Sequence, residues 1–311
     1  MNDERWMEKR QSGRRNFLKT AVAGVPILVG ETPSVTSLIA DKPERVRLSC
    51  NLYSFNEPLM SGQMTLEQVL TFCAELGFDA VDPTAYYFPG YPALPDDSFL
   101  YDIKRKAFRL GLDISGTGVR NDFTLPDPTR RKAEIELVKK WVGFAARFGA
   151  PVLRVFSGVG KELKAGYNRE EVTTWVVDAL QECVEFAARQ GVIIVLQNHA
   201  DFIQTADQLL DVVRRVNSEW LAVNLDIGSF KIGDPYAQIA SVAPHAATWQ
   251  IKENLFVNGQ EVVTDLPKIM QIVRESGYRG YLPIETLGKG DPKLKVPVFY
   301  EKVKKALKNY E

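Results

Sequence analysis

Histidine is nearly absent. The chain has 311 residues and two histidines, His199 and His245, so a site built mainly from imidazole is excluded. Cysteine is scarce as well. Cys50, Cys73 and Cys183 are widely spaced and form no CxxC pair, which argues against a zinc ribbon or a disulfide framework. Three buried thiols is the plain reading. Excess charge is missing: Lys+Arg and Asp+Glu both number 39, so no global field draws the chain to nucleic acid or an anionic membrane. No P-loop or dinucleotide fingerprint occurs, and "GTGVRND" from Gly116 is too poor in glycine to be one.

What is present begins with a distinct N-terminus. In "RRNFLKTAVAGVPILVG", Arg14 and Arg15 precede an apolar stretch that ends near Gly30. That stretch falls short of the roughly 20 residues of a comfortable membrane span. A charged segment before a short apolar one marks an export signal. Arg14-Arg15-Asn16-Phe17-Leu18-Lys19 resembles the twin-arginine motif, with Gly13 where that motif prefers Ser or Thr. Residues 1–40 are therefore expected to be a signal and linker, and the processed protein to be periplasmic with no stable membrane span. A basic tail is the alternative.

From residue 45 to 311 the chain repeats one unit. An amphipathic helix ends in glycine and a short apolar strand follows, as in "LEQVLTFCAELGFDAVD" around Gly77 and "LVKKWVGFAARFGAPVLRVFSG" around Gly149. Thr65, Asp96, Asp127 and Asn168 are capping residues at helix starts. Strands are expected near Val46, Ala80, Asp113, Pro151, Val192, Leu221, Ala247 and Tyr281. Eight βα units in this length predict an α/β fold, a single-domain (β/α)8 TIM barrel. A doubly wound open sheet is the alternative, but it commonly carries a glycine-rich loop after its first strand, where this chain has "CNLYSFNEPL".

In such a barrel the chemistry stands at the C-terminal strand ends. Tyr53 stands at the first and Arg154 on the fourth. Gln197, Asn198 and His199 end the fifth, "VIIVLQNH". Asn224 and Asp226 lie on the sixth, Gln250 and Lys252 on the seventh, and Glu285 on the eighth. A buried carboxylate is costly unless it is paired or binds a metal. Two readings stand for Asp226 and Glu285. Lys252 or Arg154 neutralises them, or they hold a hard divalent ion with nearby amide oxygens.

These strand ends resemble the sugar phosphate isomerase/epimerase family, the xylose-isomerase-like TIM barrels. The likeness is closest from "VIIVLQNH" to "GYRGYLPIE". The resemblance implies one divalent metal, Mn²⁺ or Mg²⁺ first and Zn²⁺ or Co²⁺ next, on the positions of Gln197, Asp226, Gln250 and Glu285. It implies proton transfer beside a carbonyl of a sugar. Two positions depart from the family: Gln197 stands where it has Glu, and Gln250 where it often has His. Glutamine offers an oxygen but takes no proton near neutral pH, so one base of a two-base isomerisation is missing.

Glu285 is the remaining catalytic carboxylate. His199 and Lys252 are candidates for the second base, Lys252 if burial depresses its pKa. Asn198, Arg154 and Tyr53 are candidates for contact with a small carbohydrate. Trp249, Tyr86, Tyr87 and Phe55 suit either sugar stacking or packing. The expected activity is a metal-dependent isomerase or epimerase. A lyase or dehydratase of the same fold, or a sugar-binding protein without turnover, is the alternative. A nuclease of this fold is disfavoured by the histidine count and the zero net charge.

Overall fold

The computed structural model describes residues 46–199 and 201–308. The expected export segment, residues 1–40, lies outside the described residues. The strands are β1 (Arg47–Asn51), β2 (Ala80–Asp82), β3 (Asp113–Ile114), β4 (Thr117–Gly118), β5 (Val152–Phe156), β6 (Ile193–Gln197), β7 (Leu221–Asp226) and β8 (Ala246–Lys252). They continue with β9 (Asn254–Val257), β10 (Gln260–Val263) and β11 (Tyr281–Glu285). The helices are α1 (Asn56–Met60), α2 (Leu66–Leu76), α3 (Asp97–Arg109), α4 (Pro128–Phe148), α5 (Arg169–Gln190), α6 (Ala206–Val216), α7 (Pro235–Val242), α8 (Leu266–Glu275) and α9 (Pro292–Lys308).

Nine strands form one parallel sheet in the order β3-β2-β1-β11-β8-β7-β6-β5-β4. Its two edges, β3 and β4, are halves of a single stave separated only by Ser115 and Gly116. β3 pairs with β2 and β4 with β5, so the sheet nearly closes on itself. This is the expected (β/α)8 barrel, with its third stave split.

The local causes are those of the sequence pattern. In β6 the run Ile194–Leu196 is buried throughout, as expected of a strand covered on both faces. On α4, Ile135, Val138, Trp141, Val142, Ala145 and Phe148 recur at helical spacing and form the buried stripe. Thr65 and Gln68 make a reciprocal capping box on α2. Asp127 and Asn168 accept backbone N–H bonds at the starts of α4 and α5. Asp96 precedes α3 without a side-chain cap bond. Gly77 and Gly149 close α2 and α4 with φ of 97° and 88°, values that L side chains rarely adopt.

The three cysteines are free and buried. Among the described residues, no helix is long and apolar enough to cross a membrane.

β9 and β10 form an antiparallel hairpin that the sequence analysis did not identify. It turns at Asn258 and Gly259, both at positive φ, which is the Asn-Gly signature of a tight hairpin.

Candidate functional site

The parallel register brings the C-terminal strand residues to one end of the barrel. Gln197 pairs with Asn224, Asp226 with Gln250, and Lys252 with Glu285. The β7–β8 register shifts by one residue beside Val223 and Asn224, and this irregularity sets Gln250 next to Asp226. A cleft of about 470 Å³ opens there, and its walls include Tyr53, Arg154, Gln197, His199, Lys252 and Glu285.

Asp226 lies at the centre and is fully buried. Its Oδ2 accepts from Gln197 Nε2 at 2.9 Å, Ser229 Oγ at 2.8 Å and Lys252 Nζ at 2.8 Å. Its Oδ1 accepts from the Gly228 backbone N–H at 3.0 Å. Burial opposes the charge, but Lys252 and Ser229 outweigh it and hold the carboxyl below its ordinary range. Lys252 Nζ also lies 3.4 Å from Glu285 Oε1. Burial pushes the Glu285 carboxyl up, and the neighbouring lysine only partly offsets that. Such a carboxyl sits closer to neutral pH, where proton exchange is efficient.

Burial alone would lower the Lys252 pKa, but Asp226 and Glu285 push it above its ordinary value. This is opposite to the shift that a lysine base requires, so the ammonium persists. Lys252 therefore stands as a fixed cation rather than as the second base.

Gly228 makes room for this side chain. A Cβ there would come within 2.8 Å of Lys252 Cδ and 3.2 Å of the Asn254 carbonyl oxygen. Gln197 also donates to Gln250 Oε1 at 2.8 Å, which leaves its own Oε1 buried without a partner among the described residues.

Other candidates separate. His199 lines the cleft, packs edgewise on Phe156 with ring centroids 4.7 Å apart, and pairs through Nδ1 with Asp201 at 2.7 Å. Arg154 is buried, with its guanidinium 4.2 Å from the Phe156 ring centroid and Nη1 donating to the Val119 carbonyl at 2.8 Å. Tyr53 and Tyr86 stand edge to face on the cleft wall. Trp249 and Phe55 are core residues, fully buried.

Asn198 is not brought to the cleft. Its amide donates to the Asp226 carbonyl and accepts from the Asp226 N–H, both at 2.9 Å, so it ties β6 to β7. His245 precedes β8, at the opposite end of the strands.

Sequence reasoning missed Arg120 and Asn121, which reach the wall from the loop after β4, and Asp201, which orients His199. Polar residues directly after a predicted strand were the available signal.

The model of the family described as Xylose isomerase-like TIM barrel matches residues 70–304. This chain belongs to the xylose isomerase-like TIM barrel family. Solved structures carry the same fold at low identity. D-psicose 3-epimerase from Clostridium cellulolyticum H10, with D-tagatose, superposes with a TM-score of 0.71 at 16% identity, covering 84% of this chain and 99% of that one. A xylose isomerase domain protein from Planctomyces limnophilus gives 0.68 at 17%, covering 86% and 99%. A xylose isomerase-like TIM barrel protein from Mycobacterium smegmatis in complex with magnesium gives 0.62 at 19%, covering 84% and 98%. No curated protein matches in sequence.

The magnesium in that relative raises the question of fit here. A divalent ion takes oxygen ligands at about 2.0–2.6 Å. Placed against Asp226 Oδ2 and Glu285 Oε1, it would abut the Lys252 ammonium, which stands 2.8 and 3.4 Å from those two oxygens. Gln197 turns its NH₂, not its oxygen, toward Asp226 and Gln250. Among the described residues, no group of three His, Cys, Asp or Glu side chains is placed to hold a metal ion. The arrangement of Gln197, Asp226, Gln250 and Glu285 therefore does not fit the divalent ion that the family resemblance implied.

Proposed function

We propose that this chain is an isomerase- or epimerase-like enzyme that moves a proton beside the carbonyl of a sugar or keto-sugar derivative. The observation that carries this reading is Glu285: a buried carboxylate at the end of β11, raised by burial, on the wall of the cleft and beside a fixed ammonium. Glu285 takes the proton from the carbon next to the carbonyl. The electron pair of that C–H bond becomes a C=C bond and the carbonyl π pair moves onto oxygen, giving an enediolate, which the Lys252 ammonium stabilises. Return of a proton to the other face of the same carbon gives epimerisation; return to the former carbonyl carbon, with the hydroxyl proton passed to the former carbonyl oxygen, gives isomerisation. His199, held by Asp201, lines the same cleft and is the proposed second acid–base group.

A β-elimination begins with the same proton removal, so a lyase shares this first step. The relation to a D-psicose 3-epimerase supports carbohydrate chemistry in general terms. The test is proton exchange: incubate the protein in D₂O with ketoses and oxidised glycosides and follow deuterium at the carbons beside the carbonyl. Exchange that Glu285→Gln abolishes supports the enzyme. Sugar binding without exchange on any panel member refutes it and leaves a sugar-binding protein, the reading favoured by the amide of Gln197 in place of a carboxylate.

We also propose that residues 1–40 export the chain by the twin-arginine route.

A further inference from the structure

We propose that Lys252 is the resident cation of this site, an internal ammonium that holds the two strand-end carboxylates together in place of a divalent metal ion. The inference rests on geometry; the reaction proposed above uses the same ammonium, and the test below reads metal binding rather than turnover. Four observations meet at one point.

The ammonium lies 2.8 Å from Asp226 Oδ2 and 3.4 Å from Glu285 Oε1, so it bridges carboxylates from β7 and β11. The position is built rather than incidental. Gly228 leaves the volume through which the lysine stem passes, and an added Cβ would collide with Cδ at 2.8 Å. The lysine backbone carbonyl is anchored by Thr264 Oγ1 at 2.8 Å, which fixes the start of the stem. Finally, the surrounding amides suit a monocation. Gln197 donates its NH₂ to Asp226 and to Gln250 Oε1, so the Gln250 oxygen is already engaged and the Gln197 group facing Asp226 is a donor rather than a ligand oxygen.

Charge bookkeeping agrees. Asp226, Glu285 and Lys252 together carry a formal charge of −1, and the two glutamines add none. A divalent ion would bring the lysine and the metal to a joint charge of +3 against two carboxylates. Like charges at this separation in a buried site repel strongly. Oxygen sites gain affinity for divalent ions with the number of charged ligands, so this set is a poor one for them.

The ammonium also has a consequence for ligands. It presents N–H donors, not a vacant coordination position. The group it selects at the cleft floor is therefore a hydrogen-bond acceptor oxygen such as a carbonyl, and it gives no chelation of vicinal hydroxyls.

The test is metal binding by the whole protein, followed by Mn²⁺ electron paramagnetic resonance and by thermal unfolding after chelator treatment. The wild type is expected to show no saturable Mn²⁺ site that Asp226→Asn removes, and no change in unfolding midpoint with Mn²⁺, Mg²⁺ or Zn²⁺. The double variant Gln197→Glu with Lys252→Met exchanges an ammonium for a third carboxylate ligand. It is expected to bind Mn²⁺ at least tenfold tighter than the wild type. A wild-type site that binds Mn²⁺, raises the midpoint by several degrees and vanishes in Asp226→Asn overturns the inference. Should the double variant fail to fold, the wild-type and Asp226→Asn comparison alone decides, because it needs no engineered site.

Discussion

Removing the ammonium should unbalance the barrel mouth in a measurable way. In Lys252→Met the stem is kept and the charge is lost. The wild-type ammonium is 2.8 Å from Asp226 Oδ2 and 3.4 Å from Glu285 Oε1. At an effective dielectric constant of about 20, each contact has a gross attraction on the order of 5 kcal/mol. Burying the ions costs several kcal/mol each, so the net gain from the wild-type cluster is small. The variant keeps the cost and loses the attraction. Breaking a buried pair on one side costs about 3–5 kcal/mol, and that loss is expected in urea unfolding at pH 7.

The pH dependence carries the sign. In the wild type, Asp226 is held below its ordinary 3.8, so its contribution is present above that value and fades as pH falls through its lowered pKa. Without the lysine, burial raises both carboxyls. A raised carboxyl stabilises the fold below its unfolded pKa, and that stabilisation is lost as pH rises through the folded one. The deficit of the variant should therefore shrink below pH 5. Asp226→Asn added to Lys252→Met should recover part of it. A deficit under about 1 kcal/mol that stays flat from pH 5 to 8 would refute the reasoning.

Three further outcomes are expected. Gly228→Ala should displace the lysine stem, because a Cβ would lie 2.8 Å from Lys252 Cδ and 3.2 Å from a backbone oxygen that does not yield readily; a loss of about 1–3 kcal/mol in urea unfolding checks it. Burial pushes Asp82 up to about 6, with Arg154 opposing; a raised carboxyl loses its stabilising effect as pH rises from 3.8 to about 6, so Asp82→Asn should flatten the stability profile between pH 4 and 7. Replacing Arg14 and Arg15 together with Lys should leave the chain in the cytoplasm, as read by fractionation, whereas unchanged export would refute the twin-arginine proposal.

Much of the fold was legible because its signals are local. Thr65, Asp127 and Asn168 announce helix starts through side chains that reach only two or three residues. The apolar run of β6 announces a strand covered on both faces. The strand-end residues were legible from the barrel rule, since Gln197, Asp226, Gln250, Lys252 and Glu285 all stand at one end. What a long side chain does across strands was not. Lys252 crosses to Asp226 and Glu285 because Gly228, from another strand's loop, leaves the path open, and no spacing within β8 encodes that. Asn198 followed a family pattern toward the ligand, yet its amide is held by the Asp226 backbone. The hairpin of β9 and β10 was readable from Asn258-Gly259 and was missed because the eight-unit pattern left no place for it.

A crystal structure of the wild-type protein soaked in Mn²⁺, with anomalous scattering measured at the barrel mouth, tests directly whether Lys252 stands where a metal ion would. Lys252 Nζ is expected between Asp226 and Glu285, with no anomalous peak there. An Mn²⁺ peak bonded to Asp226 and Glu285, with Lys252 turned away, would contradict it.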